Sequence, residues 1–529
     1  MTHGQLFPTV RTRALLLALI ALLALTALVV IGLSHGVSPG SHDANHDDRR
    51  SGVASAWRPR LHLTPDSGWM NDVQRPFFRG GRWHLYNLVN TDYPNGNGTS
   101  WQRSESTDLV HWNPRGVAIE KYRNGLGDIE TGSVVLDEHD TAGFGRGTVV
   151  AIATQQLDGV QRQSLFYSRD DGRTFRSYDG NPVLDNPGSA DFRDPKVIRD
   201  EAHHQWVMVL AEGHRIGLYT SPDLKHWTYA SDVVRDDLGT LECPDLFPMA
   251  VDGDPARTTW VLGTSANGSS TGGTTGYAYW TGRWDGRRFT PDLPDPLWLD
   301  HGADFYAAVT WSDPRTSSEQ QLAERYAVGW MNNWGYARDV PALPSTGGPN
   351  TLVRRIRLEA LEGRPTLVSA PVGLDQVAGR TVRGRAELVN GASTVVRTDE
   401  SSYRLRVHLR PPSAGEARVV VTAADGTRMT IGYDARNRQA FVLRDTDAIA
   451  ARMPGTYRQA RTAPVEPLPG GSVDLDVVTD GAATEVYVNG GAASLSDLAF
   501  LGPGERTISI ETVGGSTDVL TADLTPLDR

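Results

Sequence analysis

Ser221-Pro-Asp-Leu-Lys-His-Trp227 is one of four similar stretches in which an aspartate turn is followed by an aromatic residue. The others are Ser106-Thr-Asp-Leu-Val-His-Trp112, Ser168-Arg-Asp-Asp-Gly-Arg-Thr-Phe175 and Gly282-Arg-Trp-Asp-Gly-Arg-Arg-Phe289. Their aspartates are separated by 62, 53 and 62 residues. A unit of about 59 residues matches one four-stranded blade of a β-propeller. Residues 57–345 hold about five such units, so the spacing predicts five blades; a sandwich with similar hairpin turns is the alternative.

The remaining pattern is that of an all-β chain. After Trp57, short apolar alternations are broken by Gly, Pro, Asn and Asp, and helical periodicity is scarce. A turn-rich stretch, residues 341–349, precedes a change of pattern. Beyond it, segments such as Tyr403–Leu409 and Val473–Val477 alternate with period two, which is typical of half-buried antiparallel strands. We therefore predict a propeller over 57–345, then a linker and a β-sandwich over 346–529.

Composition excludes several classes of function. The 529 residues are 39% hydrophobic and 22% charged, which describes a folded chain. A net charge of −11 without a basic run argues against a nucleic-acid partner. The single cysteine, Cys243, excludes an intrachain disulfide and any multi-cysteine metal centre.

The first 56 residues are predicted to be a leader and a spacer. Arg11 and Arg13 precede an apolar stretch over residues 14–33, and a polar segment follows it. Twenty apolar residues match a membrane span, and the basic flank predicts that the chain after residue 33 lies outside the cytoplasm. A cleaved signal and a retained anchor both fit, so we expect a secreted protein or one anchored to the outer face of the membrane. We expect the protein to contact the membrane only through this apolar segment.

Three carboxylates stand in unusual local surroundings: Asp72, Asp194 and Glu242. Each is bracketed by apolar or aromatic residues and followed closely by proline. Such surroundings desolvate a carboxyl group and raise its pKa, as a general acid at neutral pH requires. Glycoside hydrolysis with retention needs two carboxyls about 5–5.5 Å apart, and strands of different blades can bring them together. A turn or ion-pair role remains the alternative for any one of them.

The motifs around these carboxylates resemble glycoside hydrolase family 32, which includes invertases, inulinases and levanases. The family pattern W-M-N-D is matched by Trp69–Asp72, R-D-P by Arg193–Pro195 and E-C-P by Glu242–Pro244. Two more segments, Asp304–Ala307 and Gly329–Trp334, are also similar to family segments. The resemblance implies a five-bladed propeller with a C-terminal β-sandwich. It also implies a hydrolase that needs neither a metal nor an organic cofactor.

The resemblance also implies roles for individual residues. Asp72 would be the nucleophile, Glu242 the acid/base, and Asp194 would stabilise the transition state by holding fructose hydroxyls. We expect substrate contacts from seven further residues: Trp69, Asn71, Gln74, Trp101, Arg193, Asp304 and Trp334.

The chain departs from the family pattern next to these motifs, and the departures bear on the substrate. Val73-Gln-Arg-Pro76 replaces P-N-G, Leu88 replaces a glutamine, and Glu130-Thr-Gly-Ser133 replaces W-S-G-S. The Gln74-Arg-Pro76 variant of the first motif, together with Thr91-Asp-Tyr-Pro94 and Glu120-Lys-Tyr-Arg-Asn-Gly125, is most similar to the branch that acts on levan, the β-2,6 fructan. Arg75 and Glu130 are expected to bind sugar hydroxyls beyond the cleavage point. The resemblance therefore predicts an extracytoplasmic retaining levanase. A levan fructotransferase, an inulinase or invertase, and a non-catalytic fructan-binding protein are the alternatives.

Overall fold

The structure is a computed structural model that describes residues 57–528 except Asp66, Asn97, 269–274 and 341–346. The predicted leader, residues 1–56, lies outside the described residues. Most of the turn-rich stretch 341–349 does so too.

Five antiparallel sheets follow one another along the chain. The first contains β1 (Trp69–Arg79), β2 (Arg82–Asn90), β3 (Ser100–Ser106) and β4 (Asn113–Ile119). The second contains β5 (Asp128–Asp137), β6 (Thr148–Leu157), β7 (Val160–Ser168) and β8 (Arg176–Ser177). The third contains β9 (Arg193–Asp200), β10 (Gln205–Ala211), β11 (Arg215–Ser221) and β12 (Thr228–Val234). The fourth contains β13 (Thr240–Ala250), β14 (Thr258–Asn267), β15 (Thr275–Trp284), β16 (Phe289–Pro291) and β17 (Leu297–Trp298). The fifth contains β18 (Tyr306–Trp311), β19 (Glu324–Trp330), β20 (Arg354–Leu361) and β21 (Arg364–Pro371).

The first strands of the five sheets form a closed ring. β1 contacts β5, β5 contacts β9, β9 contacts β13, β13 contacts β18, and β18 contacts β1 again. Five sheets arranged around one axis are the predicted five-bladed β-propeller, so that prediction is confirmed. The fifth sheet includes β20 and β21, and the boundary predicted at residue 345 therefore falls inside it.

The aspartate repeat marks the same turn in four blades, between the third and fourth strands. Asp108 shows how the turn forms: its Oδ1 accepts the backbone N–H groups of Val110 at 2.9 Å and His111 at 2.8 Å. An aspartate side chain that bonds to the backbone two or three residues onward stabilises a tight turn. The aromatic residue that follows, Trp112 in this blade, is buried in the core.

The C-terminal part is a single hydrogen-bonded sheet of eleven strands. They are β22 (Val382–Arg383), β23 (Leu388–Thr398), β24 (Ser402–Arg410), β25 (Glu416–Ala423), β26 (Arg428–Asp434), β27 (Gln439–Thr446), β28 (Arg461–Pro464), β29 (Val473–Asp480), β30 (Ala483–Val488), β31 (Ala493–Leu498) and β32 (Arg506–Pro526). Residues 506–513 of β32 pair with β25, whereas residues 518–526 pair with β24. Apolar side chains from both groups of strands share one core, so the predicted sandwich is confirmed.

Helices are few and short in the described residues. The α-helices are α1 (Ser318–Ala323) and α2 (Gly455–Arg458), and the 3₁₀ turns are Pro255–Arg257, Leu374–Gln376, Ala450–Arg452 and Asn489–Gly491. Within residues 57–528, outside the gaps given above, no helix is long and apolar enough to span a membrane.

Buried ion pairs join the propeller to the sandwich. Arg354 of β20 donates to Asp300 at 2.6 Å and, from Nη2, to Glu485 of β30 at 2.7 Å. His62 lies between Asp480 and Glu485, with ring nitrogens 2.8 and 3.1 Å from their oxygens. All five side chains are buried. Burying a charge is costly unless it is paired and hydrogen-bonded, and here every charge has a partner.

Candidate active site

In each of the five blades, the pairing between the innermost strand and the second strand is interrupted near the start of the innermost strand. A β-bulge re-aims a side chain that regular alternation would direct elsewhere. Asp194, Cys243 and Ala307 lie beside these breaks with left-handed backbones, at φ of 63°, 46° and 48°. Such conformations cost about 1–3 kcal/mol and concentrate at functional sites. Each blade thereby contributes a polar side chain to one cavity on the axis: Asp72, Glu130, Asp194, Glu242 and Tyr306.

This axial cavity has a volume of about 670 Å³. All three predicted catalytic carboxylates line it. Four of the seven predicted substrate contacts also line it, namely Trp69, Asn71, Arg193 and Trp334. Its size is that of a small-molecule site with a few convergent polar groups.

Asp72 is held in place by its neighbours on β1 and β5. The side-chain amide of Asn71 donates to Oδ1 at 3.0 Å, and the Thr131 hydroxyl donates to Oδ2 at 2.5 Å. The Cys243 thiol also approaches Oδ2, at 3.7 Å. These donors fix the orientation of the Asp72 carboxyl group within the cavity.

Glu242 is bound by one cation and one phenol. Arg193 donates to Oε1 from Nε at 3.2 Å and from Nη2 at 3.0 Å. The Tyr306 hydroxyl donates to Oε2. Burial and the charge of Glu242 raise the pKa of Tyr306 well above its usual value, so the phenol keeps its proton. A carboxyl held on both oxygens keeps a fixed direction within the cavity.

Asp194 is the most deeply buried carboxylate of the three. Its Oδ2 accepts the backbone N–H of Cys243 at 3.0 Å. Burial raises its pKa to about 7; Arg193 opposes this shift, and the charges of Glu242 and Asp72 reinforce it. Asp194 therefore exchanges its proton close to neutral pH.

Asp72, Asp194 and Cys243 each have a ligand atom within 4.8 Å of the others, which is a spacing that a metal ion could bridge. Metal binding would require the thiolate of Cys243. Burial and the two neighbouring carboxylates raise the pKa of this thiol well above its usual value. The protonated thiol instead lies within donating distance of either aspartate, 3.7 Å from Asp72 Oδ2 and 3.6 Å from Asp194 Oδ2. The donor set fits hydrogen bonding better than metal ligation.

The second blade supplies an acidic wall. Glu130 and Asp128 line the cavity beside Gln156 and Gln161. Burial, with the charges of Asp128 and Asp194, raises the pKa of Glu130 to about 8. Gln161 lies 3.4 Å from the Glu130 carboxyl. A protonated Glu130 can donate a hydrogen bond as well as accept one.

An aromatic wall lies on the other side of β1. The indole of Trp69 is stacked with Trp334, at 6.2 Å between ring centroids and 19° between planes, and packs against Tyr93 at 5.1 Å. All three line the cavity. Trp69 also donates to Asn71 at 3.2 Å, which links this wall to the side chain that orients Asp72.

Gln74 and Trp101 do not line the cavity, contrary to the expectation that they contact substrate. Gln74 is fully buried, donates to the backbone of Asp72 at 3.2 Å and accepts from the Gly132 N–H at 2.8 Å. Trp101 is fully buried and donates to the carbonyl of Glu130 at 2.9 Å. Both residues support the strands that carry Asp72 and Glu130.

Asp304 and Arg75 also lie outside this cavity. Asp304 is fully buried, accepts the Leu498 N–H at 2.7 Å and pairs with Arg444 of the sandwich. It therefore anchors the fifth blade to the sandwich. The Arg75 side chain donates to the carbonyl of Val197 at 3.4 Å, and Arg75 lines a different cavity.

Some cavity residues were not singled out from the sequence. Tyr306 stands in a segment similar to the family, but the sequence predicts a substrate contact for the acidic residue of that segment, Asp304, and not for Tyr306. Gln156, Gln161 and Arg338 had no motif to mark them. Only the pairing of neighbouring strands brings Gln156 and Gln161 to the cavity.

Comparison with known proteins identifies the family. The model of the glycosyl hydrolases family 32 N-terminal domain matches residues 62–371, and that of the C-terminal domain matches residues 374–526. The chain is 40% identical to the levanbiose-producing levanase of Bacillus subtilis, over 89% of this chain and 91% of that protein. It is 44% identical to the levanbiose-producing levanase of Geobacillus stearothermophilus, over 70% of this chain and 95% of that one.

A solved structure has the same architecture. The exo-inulinase from Aspergillus awamori superposes with a TM-score of 0.80 and 27% identity, covering 89% of this chain and 98% of that one. The two family models together account for the propeller and the sandwich, and the matched N-terminal model includes every residue of the axial cavity. The chain is therefore a glycoside hydrolase and belongs to glycosyl hydrolases family 32.

Proposed function

We propose that this protein is a retaining β-fructofuranosidase that hydrolyses levan. The observation that carries the proposal is the meeting of Asp72, Asp194 and Glu242 in one cavity with Arg193, a cation within 4.0 Å of two of them. The identity to two levanbiose-producing levanases supports levan as the substrate.

In the first step, Glu242 protonates the glycosidic oxygen while Asp72 attacks C2 of the fructosyl unit. The bond from C2 to the leaving oxygen breaks as the ester bond from C2 to Asp72 forms. The donors on Asp72 hold it ready for attack. Asp194 and Arg193 bind fructose hydroxyls, and the carboxylate of Asp194 stabilises the positive charge that develops on the ring.

In the second step, water takes the place of the leaving group. Glu242, now ionised, accepts a proton from the water as its oxygen attacks C2, and the ester to Asp72 breaks. Two displacements at C2 retain the configuration of the fructosyl unit. Arg193 stabilises the ionised Glu242 between the two steps.

The acidic wall of the second blade is the structural basis for a preference for levan. Glu130 and Asp128 can bind hydroxyls of a fructosyl unit next to the cleavage point. A wrong linkage would leave such polar groups unpaired, at a cost of about 1–3 kcal/mol each. We therefore expect kcat/KM on levan to exceed that on inulin and on sucrose by at least about tenfold.

Chromatographic analysis of the products from levan, inulin and sucrose, each incubated separately, tests this function. We expect levan to be cut fastest, with levanbiose as the main early product. Sucrose as the best substrate, or equal cutting of inulin and levan, would contradict the substrate assignment. A cyclic or elongated fructan product would indicate a fructotransferase, and binding without turnover would indicate a fructan-binding protein.

The leader supports a location outside the cytoplasm. Its apolar stretch and basic flank predict export, followed either by cleavage or by retention as an anchor. Fractionation of the producing cells, with sequencing of the mature N-terminus, distinguishes these two outcomes. A variant that lacks residues 1–50 should be soluble and active, since every cavity residue follows Trp57.

A further inference from the structure

A second cavity opens at the other end of the inner strands. The axial cavity is lined by the first residues of β1, β5 and β9, whereas the second is lined by later residues of the same strands. These include Arg75, residues 134–136 and Arg199. Its volume of about 230 Å³ is several times the share of one water molecule, about 30 Å³. It has room for a small polyatomic ion.

Positive charge is in excess between the two cavities. Arg75, Lys196 and Arg325 all lie within the electrostatic reach of one buried carboxylate, Asp245. Asp245 is already bound by Lys196 Nζ at 2.9 Å and by the Thr310 N–H at 3.0 Å. Among the described residues, Asp245 is the carboxylate that acts on all three cations, so positive charge exceeds negative charge in this group. Burial lowers the pKa of Arg75, as expected for a cation in such surroundings.

Of these three cations, Arg75 is the one that borders the second cavity. The hydrogen bond from its Nη1 to the carbonyl of Val197 is long, at 3.4 Å. Among the residues the structure describes, no carboxylate oxygen lies within 4 Å of its guanidinium. Cations in protein interiors are normally paired with anions, so we expect an anion to bind next to Arg75.

The wall of the second cavity also has hydrogen-bond donors in excess. Trp83 Nε1, Trp311 Nε1 and Arg199 Nη1 are buried, and none of them has an acceptor among the described residues. Buried donors are rarely left without an acceptor, and each one that is requires an explanation. Indole and guanidinium nitrogens donate and do not accept, so the missing partner must supply acceptors.

We propose that the second cavity binds a small oxyanion such as phosphate or sulfate, held by Arg75 and Arg199 and joining the first and third blades. Tetrahedral oxyanions suit this wall because they carry several acceptor oxygens and match the planar fork of a guanidinium. The site is separate from the catalytic cavity, and its occupation is independent of the proposed substrate.

Thermal unfolding of the protein in increasing inorganic phosphate tests the proposal, with chloride at matched ionic strength as the reference. A ligand that binds only the folded state raises Tm in a saturable way. We expect a rise of at least about 2 °C over chloride. Titration calorimetry should give a Kd that increases at least about tenfold in Arg75→Gln.

Arg315→Gln is the matched control, because Arg315 lies over the ring of Phe78, a residue of the same wall, yet already pairs with Asp313. This variant should keep the phosphate effect. Arg199→Gln is the second test variant and should weaken phosphate binding if Arg75→Gln does not fold. An equal rise in Tm with chloride, no rise with phosphate, or an unchanged effect of phosphate in both Arg75→Gln and Arg199→Gln would overturn the proposal.

Discussion

Two buried groups of charges contrast in this protein, one around the catalytic cavity and one between the propeller and the sandwich. In the cavity, Asp194 and Glu130 have pKa values raised to about 7 and about 8. Between the domains, Asp480 and Glu485 have pKa values of about 2, although they are at least as deeply buried. Burial raises the pKa of all four carboxyls, so burial cannot explain the contrast.

The difference lies in the number of cations. In the cavity, Asp194, Glu130 and Glu242 all lie within the electrostatic reach of one arginine, Arg193, which also pairs with Asp191. Between the domains, Arg354 and His62 bind Asp480, Glu485 and Asp300 directly, and their charges lower the pKa of Asp480 and Glu485. A shortage of cations keeps protons exchangeable near neutral pH, as acid–base chemistry requires. Between the domains, the cations keep the carboxylates ionised, and the resulting ion pairs join the propeller to the sandwich.

The largest expected effect is the loss of turnover in Asp72→Asn. The amide cannot attack C2, so kcat on levan should fall by at least about 10⁴-fold. Steady-state kinetics measure this loss, and thermal unfolding verifies that the variant folds. Asp128→Asn, the same replacement in the same cavity, is the control and should stay within about tenfold of the wild type. Comparable losses in both variants would contradict the assignment of Asp72 as the nucleophile, because Asp128 only lines the cavity.

Between the domains, the same kind of change should affect stability and leave the chemistry intact. Glu485→Gln leaves Arg354 and His62 without one of their partners, and breaking a buried ion pair costs about 3–5 kcal/mol. Denaturant unfolding measures this cost, and kcat of the folded variant should be unchanged. Glu505→Gln, which breaks an exposed pair with Arg397, should cost at most about 1 kcal/mol.

The two groups also predict the pH dependence of stability. Burial alone would lower the pKa of His62, but its bonds to Asp480 and Glu485 raise it to about 9. Its contribution to stability is therefore complete below pH 6.5 and is lost as the pH rises towards 9. The raised carboxyls act in the same direction: the folded state of Asp194 and Glu130 holds protons that the unfolded state has released, so stability also falls as the pH rises from 4 to 8.

Asp480 and Glu485 act in the opposite direction at low pH, where their contribution to stability is lost as the pH falls from about 4.5 to 2. Unfolding free energies measured from pH 3 to 9 should therefore be greatest near pH 4–4.5, where the low-pH gain ends and the decline begins. His62→Gln should flatten the alkaline decline, and an unchanged slope would show that His62 is not the source.

A smaller effect is expected from Glu130→Gln. The amide keeps the size of the side chain and can still donate, but it has no titration near pH 8. We expect kcat/KM on levan to fall by about tenfold and that on sucrose to change less, since the wall is placed beyond the fructosyl unit. Equal losses on both substrates would place Glu130 in the chemistry itself.

The sequence predicted the blades through their turns, because an aspartate turn depends on a few neighbouring residues. The fifth blade has no such turn: β20 and β21 are joined at Glu362-Gly363 and follow a long connection from β19. Only the pairing of β20 with β19 assigns β20 and β21 to the propeller, and no local sequence pattern predicts that pairing. The predicted boundary was too early for this reason.

The sequence predicts the site residues that lie within the motifs, but not the cavity residues that lie outside them. Asp72 and Gln74 are two residues apart, so regular alternation would place both on one face. The breaks in pairing around them place Asp72 in the cavity and leave Gln74 packed against Gly132. The acidic wall was recognised only at Glu130. Its other members, such as Gln161, reach the cavity through the third strand of a blade, which a single sequence does not reveal.

The most direct test of the central claim is to trap the fructosyl unit on the protein. Glu242→Gln should lose about 10²–10⁴-fold in kcat on levan, because the leaving oxygen is no longer protonated. An activated fructoside needs no such proton, so it should still react, while the missing base delays release. Peptide mass spectrometry should then find one fructosyl unit on Asp72 and none in Asp72→Asn. Turnover of the activated fructoside with inversion, or a fructosyl unit on a residue other than Asp72, would contradict the account.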